Sequence, residues 1–193
     1  MYKHFFKRLI DICIGLVALP FVLLVIVIFA PIIYFTDRGP IFYNANRAGK
    51  GYKPFKMFKL RSMYVNSPDL KNADGSTYNS DNDPRVTPIG RFMRKTSLDE
   101  LPQLLNVLSG EMALIGPRPI VENEIPYYGN SYDVFSSVKP GITGLWQVSG
   151  RSDTSYSERV SLDTYYVLNW SPWMDVWILV RTVYAVLFMR GAR

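Results

Sequence analysis

The residues best equipped for chemistry lie in "TSLDELPQL", Thr96 to Leu104, where Asp99 and Glu100 stand side by side. Arg85, Arg91, Arg94 and Lys95 precede them, and Pro117-Arg118-Pro119 follows. The 193-residue chain holds one histidine, His4, and one cysteine, Cys13. That scarcity argues against a His/Cys zinc site and against Ser-His or Cys-His nucleophile pairs. It also rules out an intrachain disulfide and suits a reducing compartment. Acid-base and nucleophilic work then falls to Asp and Glu, with Arg and Lys as electrostatic partners. A carboxylate pair amid cations suits phosphoryl transfer, which needs a nucleophile, a metal ligand and cationic clamps. The competing reading is a surface ion-pair network, and charge pattern alone does not choose between them. The prolines flanking Arg118 restrict its backbone and could hold its guanidinium ready for a phosphate.

The elements around the pair can be read from periodicity. Leu101, Leu104, Leu105 and Leu108 fall at i, i+3, i+4 and i+7, an amphipathic helix stopped by Gly110. Its start is open. Ser97 with Glu100 fits a capping box, whereas Asp99 as the cap would put Pro102 in the first turn, where its missing N–H costs nothing. In either register both acids sit at a helix N-terminus, which favours anions. Neighbouring helical residues diverge by about 100°, so Asp99 and Glu100 are not expected to chelate one ion as a clean pair. Upstream, Phe58 to Arg61 alternates as a strand would, with Lys59 and Arg61 on one face and either able to reach a substrate phosphate. Asp69 to Pro84 reads as a polar, turn-rich surface loop without catalytic residues.

Ile12 to Phe35 carries no charge over 24 residues, roughly 36 Å as a helix and enough to cross a bilayer. Lys3, Lys7 and Arg8 precede it; Arg47, Lys50, Lys53, Lys56, Lys59 and Arg61 follow it. Basic flanks belong on the cytoplasmic side. With both flanks basic, a re-entrant segment, bent at Pro20 or Pro31 into a shallow broken hairpin, is favoured over a spanning helix. Near the C-terminus, Trp170, Trp173 and Trp177 cluster in an apolar segment interrupted by Asp175 and Arg181, which suits the membrane interface. The net charge of +6 fits an anionic partner. A nucleic-acid module is disfavoured by the apolar run and the lack of a recognition motif.

Taken in order, "FKLRSM", "DPRVTPIGRFMRKTSLDELPQLLNVLSGEMALIGPRP", "KPGITGLWQVSGR" and "LDTYYV" resemble the signature of the bacterial sugar transferase family, the monotopic phosphoglycosyl transferases. The resemblance covers nearly the whole chain. It implies transfer of a sugar 1-phosphate from a UDP-sugar to undecaprenyl phosphate at the cytoplasmic face of the bacterial inner membrane, releasing UMP. Such a reaction opens a polysaccharide pathway, of the exopolysaccharide or O-antigen kind. By that likeness Asp99 is the nucleophile that carries the phosphosugar, and Glu100, with Asp99, holds Mg²⁺. Arg118, Arg151 and Asp163 match family positions as substrate or support residues, with Arg94 and Lys59 as weaker matches. "GLWQVSGR" resembles members that transfer hexose phosphates such as galactose or glucose. The expected fold is mainly α with a small antiparallel β element. Residues 1–38 would form the re-entrant membrane helix, and residues 39–193 a catalytic domain with interfacial amphipathic helices. Expected partners are undecaprenyl phosphate, a UDP-sugar, membrane lipid and, as an option, a second copy in a homodimer. The rival from another class is a non-catalytic membrane-surface adaptor.

Overall fold

A computed structural model describes residues 5–70, 78, 80, 82–150 and 155–187, with backbone only at 186 and 187. Arg151 and most of the polar loop fall outside these residues. In chain order the elements are α1 (Phe6–Asp37), β1 (Ala45–Ala48), β2 (Pro54–Met57), α2 (Pro88–Thr96), α3 (Gln103–Ser109), β3 (Ala113–Ile115), α4 (Ile125–Tyr128), α5 (Ser131–Ser136), β4 (Gly141–Thr143), α6 (Leu145–Ser149), α7 (Tyr156–Asn169) and α8 (Pro172–Leu187). The chain is mostly helical, as expected, with β1 and β2 as a small antiparallel pair registered Ala45 to Met57 and Ala48 to Pro54. A second pair was not legible: β3 and β4 run parallel, Ala113 opposite Gly141 and Ile115 opposite Thr143.

α1 is one uninterrupted helix of 32 residues with Pro20 and Pro31 inside it. The expected break into a hairpin does not occur. A proline removes one N–H and crowds one carbonyl, a local loss that leaves the rest of the hydrogen-bond ladder of a 32-residue helix in place. One stripe of α1, Asp11, Gly15, Val22, Val25 and Ile33, is buried against the rest of the chain. The opposite face exposes Leu16, Val17, Phe21, Leu24, Val27 and Phe35. Only 17% of its most apolar stretch is buried, so α1 is not the core helix of a soluble domain.

Both ends of α1 are tied to the same body of protein. Near its start, Arg8 donates to the carbonyls of Val107 and Leu108 at the end of α3, and Asp11 accepts from the Leu114 N–H at 3.1 Å. At its other end, Asp37 pairs with Arg61 at 2.6 Å and accepts from the Val65 N–H at 2.7 Å. Arg61 is therefore turned away from the strand face expected for it. The strand ends at Met57, and Phe58 to Arg61 continues extended with a single bridge from Leu60 to Phe42. Without a ladder to enforce alternation, Arg61 follows its partners, Asp37 and the Ile33 carbonyl.

The core is assembled from several small clusters. Val25 and Ile33 of α1 meet Leu60 and Met93. Phe55 and Met57 meet Val107 and Met112. Ile115, Leu145, Val148, Tyr166, Val167 and Ile178 join β3 to the last three helices. α8 leaves Trp173, Val176, Trp177, Val180 and Val183 exposed.

Candidate active site

The carboxylate pair is positioned by a tight connection between α2 and α3. Thr87 caps α2 by accepting from the Gly90 N–H at 2.9 Å, with Pro88 at the first helical position. α2 ends at Ser97, whose left-handed conformation (φ 59°) lets its N–H close onto Arg94 and Met93. Leu98 to Glu100 then form a single 3-10 turn, and Pro102 stands at the N-cap of α3, where no N–H is required. Both capping alternatives are thereby corrected. Ser97 ends the preceding helix instead of starting the next, and neither Ser97 nor Asp99 makes a side-chain cap. α3 begins at Gln103, one turn later than expected, because the chain tightens around the acids before it relaxes into an α-helix. Gly110 ends α3 at φ 91°, as its position predicted.

Asp99 is almost fully buried, at 1% exposure. Lys59 Nζ lies 2.9 Å from its Oδ2 and 3.2 Å from Glu100 Oε1. The two carboxylates thus converge on one cationic point despite being neighbours in sequence, since side-chain torsions make up the angle between them. Backbone bonds fix the approach of Lys59. The Leu60 N–H donates to the Asp99 carbonyl at 2.9 Å. Fully buried Asn106 accepts from the Phe58 N–H at 2.9 Å and donates to the Lys56 carbonyl at 2.8 Å. Burial pulls the Lys59 ammonium down, but the Asp99 and Glu100 carboxylates outweigh it and leave the group above the ordinary lysine range.

Arg118 reaches Glu100 Oε1 at 3.7 Å and lies over the Trp146 ring at 5.6 Å. Its loop is held by close backbone approach: a β-carbon on Gly141 would stand 2.1 Å from the Gly116 nitrogen, and one on Gly144 2.1 Å from the Gly116 carbonyl oxygen. The glycines of "IGPRP" and "KPGITG" therefore do positional work that only the parallel β3–β4 pairing reveals. Arg94 donates to Ser62 at 3.0 Å and lies within the electrostatic reach of Asp99.

Asp163, on α7, is buried behind this loop at 1% exposure and accepts from the Tyr128 hydroxyl at 2.7 Å. Burial pushes its carboxyl up to about 6, against the Tyr128 hydrogen bond, the Arg159 charge and the Arg118 backbone N–H. It supports Arg118 from behind. Lys59, Asp99, Glu100 and Arg118 are thus brought together, Arg94 stands beside them, and Asp163 backs them.

Two further residues escaped sequence reading. Arg159 is buried on α7 between the rings of Trp146 (4.8 Å) and Tyr156 (5.1 Å) and pairs with Glu124 at 3.5 Å. Its Nε and one terminal nitrogen are buried without a hydrogen-bond acceptor among the described residues. Arg47, on β1, is held below its ordinary value by burial and then by Arg118, with Arg159 adding to the effect. Arg118 and Arg159 therefore share the Trp146 ring, with Arg47 within electrostatic reach of both, which suits a group of high negative charge. One signal was available: Arg159 and Asp163 are four residues apart, so one helix face carries both charges inward.

Among the described residues Asp99 and Glu100 are the carboxylates at this point, and no group of three or more His, Cys, Asp or Glu there could hold a metal. The donor set still fits Mg²⁺, which commonly takes one or two carboxylates together with water and substrate phosphate. The convergence of both carboxylates on the Lys59 ammonium shows that they can face one cation.

The profile of the family described as bacterial sugar transferase matches residues 2–189. A UDP-galactose-lipid carrier transferase of Erwinia amylovora is 45% identical over 203 residues, covering 98% of this chain and 42% of that protein. The exopolysaccharide production protein ExoY of Sinorhizobium fredii is 41% identical over 197 residues, covering 96% of this chain and 87% of its own. A UDP-glucose:undecaprenyl-phosphate glucose-1-phosphate transferase of Klebsiella pneumoniae is 39% identical, covering 97% of this chain and 41% of that protein. The chain thus spans about two fifths of the length of several curated relatives and most of the length of another.

Proposed function

We propose that this chain, which belongs to the bacterial sugar transferase family, transfers a hexose 1-phosphate from a UDP-hexose to undecaprenyl phosphate at the cytoplasmic face of the bacterial inner membrane. The observation that carries the reading is the buried Asp99 carboxylate, paired with Lys59 and flanked by Glu100 and Arg118. The names of two relatives, a UDP-galactose-lipid carrier transferase and a UDP-glucose:undecaprenyl-phosphate glucose-1-phosphate transferase, support the substrate class.

In the first step an Asp99 carboxylate oxygen attacks the phosphorus that bears the sugar. An O–P bond forms, the bond from that phosphorus to the bridging oxygen breaks, and UMP leaves with that oxygen. In the second step an oxygen of undecaprenyl phosphate attacks the same phosphorus. The acyl-phosphate bond breaks, Asp99 is regenerated, and the product is the polyprenyl diphosphosugar. Lys59 and Arg118 neutralise the phosphoryl oxygens, and Arg47 and Arg159 extend that positive field towards the rest of the diphosphate. Asp99 and Glu100 are the residues that would hold Mg²⁺, which when bound shields the pyrophosphate charge. Asp163 and Tyr128 position the Arg118 loop, and Arg94 acts through Ser62 at the edge of the site. Arg151 remains a proposed substrate residue on the strength of the family likeness.

Residues 1–38 are the membrane segment and 39–193 the catalytic domain. The supporting observation is that both ends of α1 bond to that domain. A spanning helix would separate its ends by about 30 Å of hydrocarbon, so both ends belong on one membrane face. The exposed tryptophans of α8 fit the interface beside it. Supplying UDP-galactose and UDP-glucose with undecaprenyl phosphate and Mg²⁺ should release UMP. No UMP from either donor would leave the membrane-surface adaptor as the better account.

A further inference from the structure

The far end of α3 meets a second concentration of positive charge, a helix length of roughly 10 Å from the carboxylate pair. A cavity of about 100 Å³ opens there, lined in part by Lys7, Arg8, Asp11, Lys50, Lys139 and Trp170. Its volume is well below the roughly 300 Å³ at which organic-ligand pockets begin, which restricts an occupant to a small group. None of these residues belongs to the Asp99 site.

The charges around the cavity are unequally matched. Lys7 is taken up by Asp175 at 2.5 Å and by the Tyr166 hydroxyl at 3.1 Å. Asp11 is engaged with the Leu114 N–H. Arg8 spends its N–H groups on the carbonyls of Val107 and Leu108, which are neutral acceptors, and only the Asp11 carboxylate, shared with Lys7, offsets its charge among the described residues lining the cavity. Lys50 and Lys139 have neither a hydrogen bond nor an ion pair among the described residues. The Lys139 ammonium is lowered by burial, then by Arg8 and Lys50, with Asp11 opposing them only in part, and the remaining repulsion is one that an added anion would relieve. Arg8 and Lys139 also close on one spot. A β-carbon on Gly110 would lie 3.4 Å from an Arg8 terminal nitrogen and 3.5 Å from Lys139 Nζ.

The plainer account is that cations complement the negative end of α3. It explains Arg8, which bonds the last carbonyls. It does not explain Lys50, delivered from the β1–β2 connection, or Lys139, delivered from the approach to β4, since neither touches a carbonyl. We propose that Arg8, Lys50 and Lys139 form an anion site for a phosphate group, separate from the Asp99 site. Its position at the first turns of α1 and beside Trp170 gives it two sources of that chemistry, the headgroup of an anionic phospholipid or free inorganic phosphate.

The test uses the full chain in nanodiscs and reads binding, not turnover, so its failure leaves the transferase reading intact. One arm titrates inorganic phosphate calorimetrically in phosphatidylcholine discs. The other measures phosphatidylglycerol retained from mixed discs by native mass spectrometry. Wild type, Lys50→Ala/Lys139→Ala and Arg118→Ala are compared. The expected result is binding in at least one arm, weakened tenfold or more in the double variant and retained in Arg118→Ala. Binding only in the first arm makes free phosphate the ligand; binding only in the second makes it the lipid headgroup. Because the double variant removes no described contact, it should fold; Lys50→Glu, at an exposed position, repeats the test by charge reversal. No binding in either arm, or equal binding by wild type and both lysine variants, overturns the site. Loss in Arg118→Ala alone does so too, by assigning the signal to the Asp99 site.

Discussion

Replacing Asp99 by asparagine separates the chemistry of this carboxylate from its structural role. At the observed 2.9 Å, the Lys59–Asp99 attraction is roughly 6 kcal/mol gross at an effective dielectric constant of 20, and the Lys59–Glu100 attraction at 3.2 Å about 5 kcal/mol. Asparagine removes the first and keeps the second. It also removes the desolvation cost of a buried carboxylate, several kcal/mol of opposite sign. The two changes nearly offset, so the net loss of stability should stay within about 2 kcal/mol, a fall in Tm of less than about 8 °C for a chain of this size. UMP release, by contrast, should fall by on the order of 10⁴ or more, because an amide cannot form the acyl-phosphate bond. Lys59→Met should lower stability as well as rate. It leaves two carboxylates without their shared cation, one of them buried, and should cost about 2–3 kcal/mol, discounted from the fully buried case because Lys59 and Glu100 are about a fifth to a quarter exposed. Assays are UMP release, a melt in detergent, and intact-mass detection of the phosphosugar adduct on wild type incubated with UDP-hexose alone. Folded Asp99→Asn protein that keeps more than a hundredth of the wild-type rate, or an adduct that maps to another residue, would refute the covalent role.

Arg118→Ala should lower kcat/KM by about 10²-fold, and Arg118→Lys should recover little of it, since an ammonium cannot reproduce a planar fork held over Trp146; full rescue by lysine would show that charge alone matters. Asp163 gives a pH signature. Its folded value of about 6 lies above the ordinary 3.8, so between those values the folded state binds more protons and stability falls as pH rises. The stability of wild type relative to Asp163→Asn should therefore drop by about 2 kcal/mol from pH 4 to pH 6 and level off above about pH 7; a flat difference across that window would exclude the raised carboxyl. For topology, Phe5→Cys and Arg38→Cys in a Cys13→Ser background should both react with an impermeant maleimide from the cytoplasmic side only. Labelling of the two ends from opposite sides would mean that α1 spans the membrane.

The adaptor alternative shares the basic surface and the exposed faces of α1 and α8 with the enzyme reading. The difference lies in the interior. A carboxylate that merely punctuated a helix would accept a backbone N–H, as the Thr87 and Ser155 hydroxyls do at the starts of α2 and α7. Asp99 is buried, makes no cap, and faces a lysine held by Asn106 and the Leu60 N–H. Burial of that kind is costly unless the charges are used.

The sequence by itself determined what depends on residue type and short spacing. Composition left Asp and Glu as the available nucleophiles, and an uncharged run long enough for a bilayer announced α1. Leucine periodicity and Gly110 marked α3 and its end, and the motif order marked the family. These are local properties, set by backbone sterics, hydrophobic periodicity and solvation over a few turns. Only the tertiary structure decided which cations meet the dyad. Lys59 and Arg61 look alike in "FKLRSM", yet one faces Asp99 and the other Asp37, because the strand ends before them and distant partners fix each side chain. It also decided that Ser97 closes a helix, that glycines at 116, 141 and 144 bring two loops into contact behind Arg118, and that Arg47 and Arg159 join it. Apart from the Ser97 closure, which is local, those outcomes depend on contacts between residues tens of positions apart, whose energies the order of residues does not display until the chain has closed on itself.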